Sequence, residues 1–148
     1  MTPCEVRAVK RRLESYRDLL AMAAEKDREA LMLQAKYEDL ATPGCIRYER
    51  EPGGSGKDKD SIYIEIFSEQ MEAEKKAAQY RLQAAQIERF IGMIESESQP
   101  ILQAAYIDGK RYWEIGKDSG YSKTGVQTII SRCLEKVPAT VAESAGLL

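Results

Sequence analysis

The residues best equipped for chemistry in this sequence gather between Lys110 and Lys136. There Lys110, Arg111, Lys117, Lys123, Arg132 and Lys136 outnumber the acids Glu114, Asp118 and Glu135, a local cationic surplus in a chain of net charge -2. Ser122, Thr124, Gln127, Thr128 and Ser131 are interleaved with them. Cations mixed with short hydroxyl and amide side chains suit a polyanion whose edges also carry donors and acceptors. Lys and Arg neutralise phosphates or pair with guanine, Gln pairs with adenine, and Thr touches a thymine methyl or a phosphate. The inventory is poor for catalysis. Histidine is absent, which removes imidazole bases, His-containing metal sites and Ser-His or Cys-His nucleophile pairs. Cys4, Cys45 and Cys133 are far apart with no CxxC spacing, so they read as ordinary thiols in a reducing cytosol and not as a disulfide framework or zinc cluster. The expectation is a non-enzyme that needs neither metal nor cofactor.

Two helices are needed to hold those side chains. Tyr112 to Ser119 reads as a short helix with Ile115 inward and the small Gly116 where a second helix crosses closely. Gly120 supplies a left-handed turn, Tyr121 is placed to plug the corner between the helices, and Ser122 is a good N-cap for the next one. On that second helix Val126, Ile129, Ile130, Cys133 and Val137 share one face at about 100° per residue. Thr124, Thr128 and Ser131 point away, with Gln127 and Arg132 at the flanks. This is the pattern of a helix-turn-helix. Lys123 and the amide groups at the helix start suit a phosphate, and Lys110, Arg111 and Lys117 add backbone contacts. Tyr112 and Trp113 read as core between the C-terminal helices, with stacking on bases as the alternative.

The rest of the chain reads as supporting helices. Thr2-Pro3-Cys4-Glu5 carries a Thr N-cap, a proline at the first helical position and a capping-box Glu. A heptad seam follows through Val6, Val9, Leu13, Tyr16, Leu20, Ala23, Asp27, Ala30, Gln34 and Tyr37, apolar except at Asp27 and Gln34. With no Gly or Pro before Pro43 it predicts one helix about 50 Å long. Residues 42–60, with Thr-Pro-Gly, Pro-Gly-Gly-Ser-Gly and Lys-Asp-Lys-Asp, read as a flexible connector. Their GGSGK run lacks the hydroxyl and the preceding strand of a phosphate-binding loop. A second long helix starts near Asp60 or Ser61 with the seam Tyr63, Ile66, Gln70, Ala73, Ala77, Tyr80, Ala84, Ile87, Ile91 and Ile94, and weakens before Pro100, where another helix leads to the Asp108-Gly109 turn. Ile62 to Phe67 is the only β-like patch, and its helical context claims it.

The fold expectation is therefore all-α: a long antiparallel, coiled-coil-like helical hairpin over 1–98, a small three-helix helix-turn-helix domain over 99–137, and an unstructured tail over 138–148. The hairpin seams are read as serving oligomerisation, with the core of a monomeric bundle packed on the C-terminal domain as the alternative. No apolar run approaches the roughly 20 residues of a membrane span, and the chain is read as cytoplasmic, in association with the nucleoid.

The run Tyr106-Ile107-Asp108-Gly109-Lys110-Arg111-Tyr112-Trp113-Glu114-Ile115-Gly116, followed by Gly120-Tyr121-Ser122-Lys123-Thr124-Gly125-Val126, resembles region four of bacterial sigma factors, where a Y-x-x-G turn, an E-I-A first helix and an S-x-x-x-V second helix bind promoter DNA. Gly116 replaces the usual alanine, and Ser119 the usual leucine. No segment resembles the aromatic, basic region with which full sigma factors melt DNA. Together with the long charged helices and the Gly-rich connector, this makes the chain similar to the small phage and prophage transcriptional regulators of the RinA and ArpU type. That resemblance implies control of phage late genes. The expected partner is double-stranded DNA, bound by a homodimer joined through the N-terminal helices. The charged faces of the long helices read as solvated, with an acidic patch as an alternative contact for RNA polymerase. Two other readings stay open: a small-terminase-like DNA-packaging subunit, and a coiled-coil adaptor that binds no DNA.

Overall fold

The capping box foreseen at the N-terminus forms. The Glu5 amide donates to Thr2 Oγ1 at 3.2 Å and the Thr2 amide to Glu5 Oε2 at 2.7 Å, an arrangement that stabilises a helix start by about 1 kcal/mol. In this computed structural model, which describes residues 1–41 and 59–148, that start opens α1 (Pro3–Glu14), followed by α2 (Tyr16–Ala41), α3 (Lys59–Met93), α4 (Gln99–Leu102), α5 (Tyr112–Ser119), α6 (Lys123–Lys136) and α7 (Ala139–Ser144). A π-helical turn, Gln103–Ile107, extends α4. The fold is all-α, with no strand among the described residues. Residues 42–58 of the connector, with Cys45 and the GGSGK run, lie outside the described residues, while Lys59 and Asp60 already belong to α3.

The described chain divides into two compact units, Met1–Leu20 with Arg81–Leu148, and Ala21–Tyr80. The boundary between these units falls inside α2 and α3. In the smaller unit α2 and α3 run antiparallel: the Tyr63 hydroxyl donates to the Leu40 carbonyl at 2.7 Å, and the Tyr37 and Tyr63 rings meet with centroids 5.2 Å apart. The seam of α3 is followed faithfully. Ala73, Ala77, Ala84, Ile87, Ile91 and Ile94 are buried, and Tyr63, Ile66, Gln70 and Tyr80 half-buried.

The first seam needs correction. The single N-terminal helix is broken at Ser15, whose hydroxyl bonds back to the Arg12 carbonyl at 2.6 Å. Beyond the break the buried positions are Tyr16, Leu19, Ala23, Ala30 and Leu33, so Tyr16, Ala23 and Ala30 of the seam hold while Leu20, Gln34 and Tyr37 are exposed.

In the larger unit the ends of the long helices pack with the helix-turn-helix. Phe90, Leu13, Ile87, Ile91, Leu102, Ile130 and Leu134 are its largest fully buried side chains. The Met1 amino nitrogen donates to the carbonyls of Glu135 at 2.9 Å and Val137 at 3.1 Å, at the end of α6 where uncapped carbonyls favour a cation. The buried Tyr16 hydroxyl donates to Glu88 Oε1. Residues 138–148, expected to be an unstructured tail, contain α7 and bury Ala142, Ala145 and Leu147. A six-residue helix is below the length that local propensity sustains, so burial of those three side chains is what holds it.

Candidate nucleic-acid interface

The turn between α5 and α6 is set by two glycines with different duties. Gly120 ends α5 at φ 80°, ψ 15°, the left-handed region where a Cβ is costly. Gly116 faces the chain that returns after the turn: a Cβ there would stand 2.3 Å from the Tyr121 carbonyl oxygen. Ser122 then caps α6, its Oγ accepting from the Gly125 amide at 3.0 Å. The crossing brings Ile115 and Gly116 of α5, and Val126, Ile130, Cys133 and Leu134 of α6, into the interior. Leu134 was not among the buried positions read from the sequence, and Ile129 is only half-buried.

What α6 leaves outside is narrower than the sequence suggested. Lys123, Thr124, Gln127, Thr128 and Arg132 are exposed. Ser131 is half-buried and accepts a hydrogen bond from Lys10 Nζ of α1 at 2.7 Å, so its hydroxyl is not on the free face. Ser122 is exposed, but its oxygen is committed to the cap. The Thr128 hydroxyl donates to the Thr124 carbonyl at 2.9 Å, which leaves its methyl group and lone pairs for a partner. Around this face Lys110, Arg111 and Lys117 are all exposed, with Lys110 Nζ 4.0 Å from Asp118 Oδ2 in a loose surface pair. Such a pair contributes little and yields readily to a stronger anion.

Two aromatic expectations are corrected. Trp113 is 53% exposed and Tyr121 52% exposed, so neither fills the core or plugs the corner. Residue 113 lies next to the half-buried Tyr112 at the start of a helix whose inward positions are taken by Ile115 and Gly116.

The structure also adds a residue that the sequence gave no reason to choose. Arg17 of α2 reaches the Asp108-Gly109 turn, its Nη1 3.5 Å from the Asp108 carbonyl oxygen. The absence of a side chain at Gly109 makes room for it, since a Cβ there would lie 1.8 Å from Arg17 Nη1. Arg17, Lys110, Arg111, Lys123 and Gln127 thereby border one open groove of about 610 Å³ beside the start of α6.

Residues 39–136 match the profile of a family described as protein of unknown function (DUF1492). The chain belongs to that family. The matched span takes in the helix-turn-helix and α3, and its description assigns no activity. No curated protein and no solved structure matches. Among the described residues no helix is long and apolar enough to cross a membrane.

Proposed function

We propose that this member of the family is a sequence-specific DNA-binding regulator that lays α6 in the major groove. The observation that carries the reading is the division of α6: one side is sealed in the interior, while Thr124, Gln127, Thr128 and Arg132 stand exposed beside a cationic border. Short polar side chains on an otherwise rigid rod are what groove entry requires, and Gln and Arg carry the bidentate geometry that distinguishes adenine and guanine. Lys110, Arg111, Lys117 and Lys123 are suited to phosphates, and Arg17 joins them. The resemblance of the 106–126 sequence to sigma region four, and of the chain to RinA- and ArpU-type regulators, extends this proposal to phage late genes and a bacterial cytoplasm, with an acidic patch on the long helices as an alternative contact for RNA polymerase.

A single module of this size makes few phosphate contacts, and joining two makes the second contact intramolecular. For dimerisation we favour the hairpin. Its inner seam is consumed within the chain, but α3 carries a second stripe one residue away, in which Ile64, Phe67 and Met71 are all exposed at i, i+3, i+7 spacing. Exposed apolar rows of this kind pair with a second copy in coiled coils.

The test is selection of bound duplexes from a random pool with wild type and three variants. Thr124→Ala and Gln127→Ala are expected to change the preferred bases, at about 1–3 kcal/mol per lost base contact, whereas Lys110→Ala weakens all sequences alike. A Gln127→Ala protein with unchanged preference and affinity would remove α6 as the reading helix.

A further inference from the structure

The groove beside α6 has a composition that duplex contact does not explain. Its border holds four cations, Arg17, Lys110, Arg111 and Lys123, against one carboxylate, Glu14. A phosphate backbone would be served by those alone. Yet Trp113 and Tyr112 also line it, and the Trp113 ring is more than half exposed although large aromatic surface is ordinarily covered. Tyr106, set in the π-helical turn that extends α4, lines the same groove and buries its hydroxyl with no hydrogen-bond partner. Tyr112 stands beside it and raises its ionisation through both charge and hydrogen bonding, although no contact reaches full hydrogen-bond geometry. Burial first, then Tyr112, pushes Tyr106 ionisation far above the ordinary tyrosine value, so the phenol stays neutral. A buried hydroxyl left without a full hydrogen bond is costly, and a ligand acceptor entering beside Tyr112 would recover that cost.

We propose that this groove binds a nucleotide, with its base stacked on Trp113 and its phosphates among Arg17, Lys110, Arg111 and Lys123. The volume of about 610 Å³ is that of a small-molecule site. A flat ring accounts for the exposed indole, a polyphosphate for the cationic surplus, and a base or ribose oxygen for the unpaired Tyr106 hydroxyl. An acidic peptide would satisfy only the cations. Because Lys110, Arg111, Lys123 and Gln127 belong both to this groove and to the DNA-facing set, nucleotide and duplex exclude one another. That second half rests on the DNA reading, and by linkage each ligand weakens the other by the same factor.

Trp113 is the sole tryptophan of the chain, so intrinsic fluorescence of the full-length protein reports the groove directly. Titration with adenosine and guanosine 5′-diphosphates is expected to give saturable quenching. Adenosine and inorganic pyrophosphate, each half of the ligand, bind at least about tenfold more weakly because each forfeits either the charge-assisted contacts or the stacking. Arg17→Ala weakens the diphosphates about tenfold with an unchanged circular dichroism spectrum, and Tyr106→Phe weakens them without loss of thermal stability. The inference is overturned if neither diphosphate quenches at millimolar concentration, if pyrophosphate binds as well as the nucleotides, if Arg17→Ala binds like wild type, or if only single-stranded DNA quenches. Anisotropy of a labelled duplex, measured separately, keeps the two readings apart. Duplex binding without nucleotide quenching overturns the groove alone. Quenching without duplex binding upholds the groove and overturns the DNA reading, and with it the mutual exclusion.

Discussion

Replacing Gly116 by alanine sets two effects of opposite sign against each other. In an open helix interior the change stabilises by up to about 1 kcal/mol, because alanine has less backbone freedom to lose. At this position the new Cβ would meet the Tyr121 carbonyl oxygen at 2.3 Å, and that oxygen belongs to the backbone of a tight turn and not to a side chain able to rotate away. Overpacking of this kind costs about 1–3 kcal/mol. The net expectation is a loss of about 1–2 kcal/mol, or a Tm lower by roughly 3–6 °C for a chain of this size. Relief would come from opening the angle between α5 and α6, so duplex affinity should fall with stability. Gly92→Ala is the internal control: it lies in α3 with nothing within 4 Å of its would-be Cβ, and should raise Tm slightly. Thermal melts followed by circular dichroism at 222 nm compare the two. A Gly116→Ala protein as stable as Gly92→Ala would refute the argument that the turn requires a bare Cα there.

Other perturbations have directions fixed by the structure. Gly120→Ala keeps open space around the new methyl but forces φ 80° on a non-glycine residue, and should destabilise by roughly 1 kcal/mol in the same melt. The Tyr16 hydroxyl is pushed up to about 12 from 10.0, by burial first and then by its hydrogen bond to Glu88. Since the folded value is the higher one, its contribution is complete below about pH 10 and is lost as pH rises through about 12, a linked loss on the order of 2–3 kcal/mol. Urea midpoints at about pH 9 and about pH 11 should therefore differ less in Tyr16→Phe than in wild type, and an equal difference would count against the burial of a neutral phenol. Phe67→Glu places a charge in the exposed stripe of α3 and should shift sedimentation from dimer to monomer with the helical signal intact. A dimer that persists in Phe67→Glu would move the interface elsewhere.

Where local chemistry decides a feature, the sequence displayed it. The Thr2 capping box, the left-handed Gly120, the Ser122 cap and the α3 seam all depend on residues within one or two turns of one another, and each stands where expected. The features that were not legible depend on distant partners. Ser15 interrupts the first helix without Gly or Pro, by bonding its own preceding turn, and the seam slips from Leu20 to Leu19 as a result. Ser131 has the spacing of an exposed residue, but Lys10, distant in sequence, takes its hydroxyl. Arg17 reaches the site only because Gly109 leaves room, and α7 exists only because the unit offers a surface for Ala142 and Leu147. Gly116 illustrates both cases. Its small size marks a close crossing in the sequence, whereas the atom that demands it, the returning Tyr121 carbonyl oxygen, is visible only in the fold.

The central claim is that the exposed side of α6 docks on duplex edges, and amide chemical-shift mapping with a duplex recovered from the random pool tests it most directly. The expected result is a set of shifts centred on Thr124, Gln127, Thr128 and Arg132, extending to Lys110 and Arg111 and weakening as salt is raised. Shifts confined to the Ala21–Tyr80 unit, or a spectrum unmoved by any duplex at low salt, would contradict it.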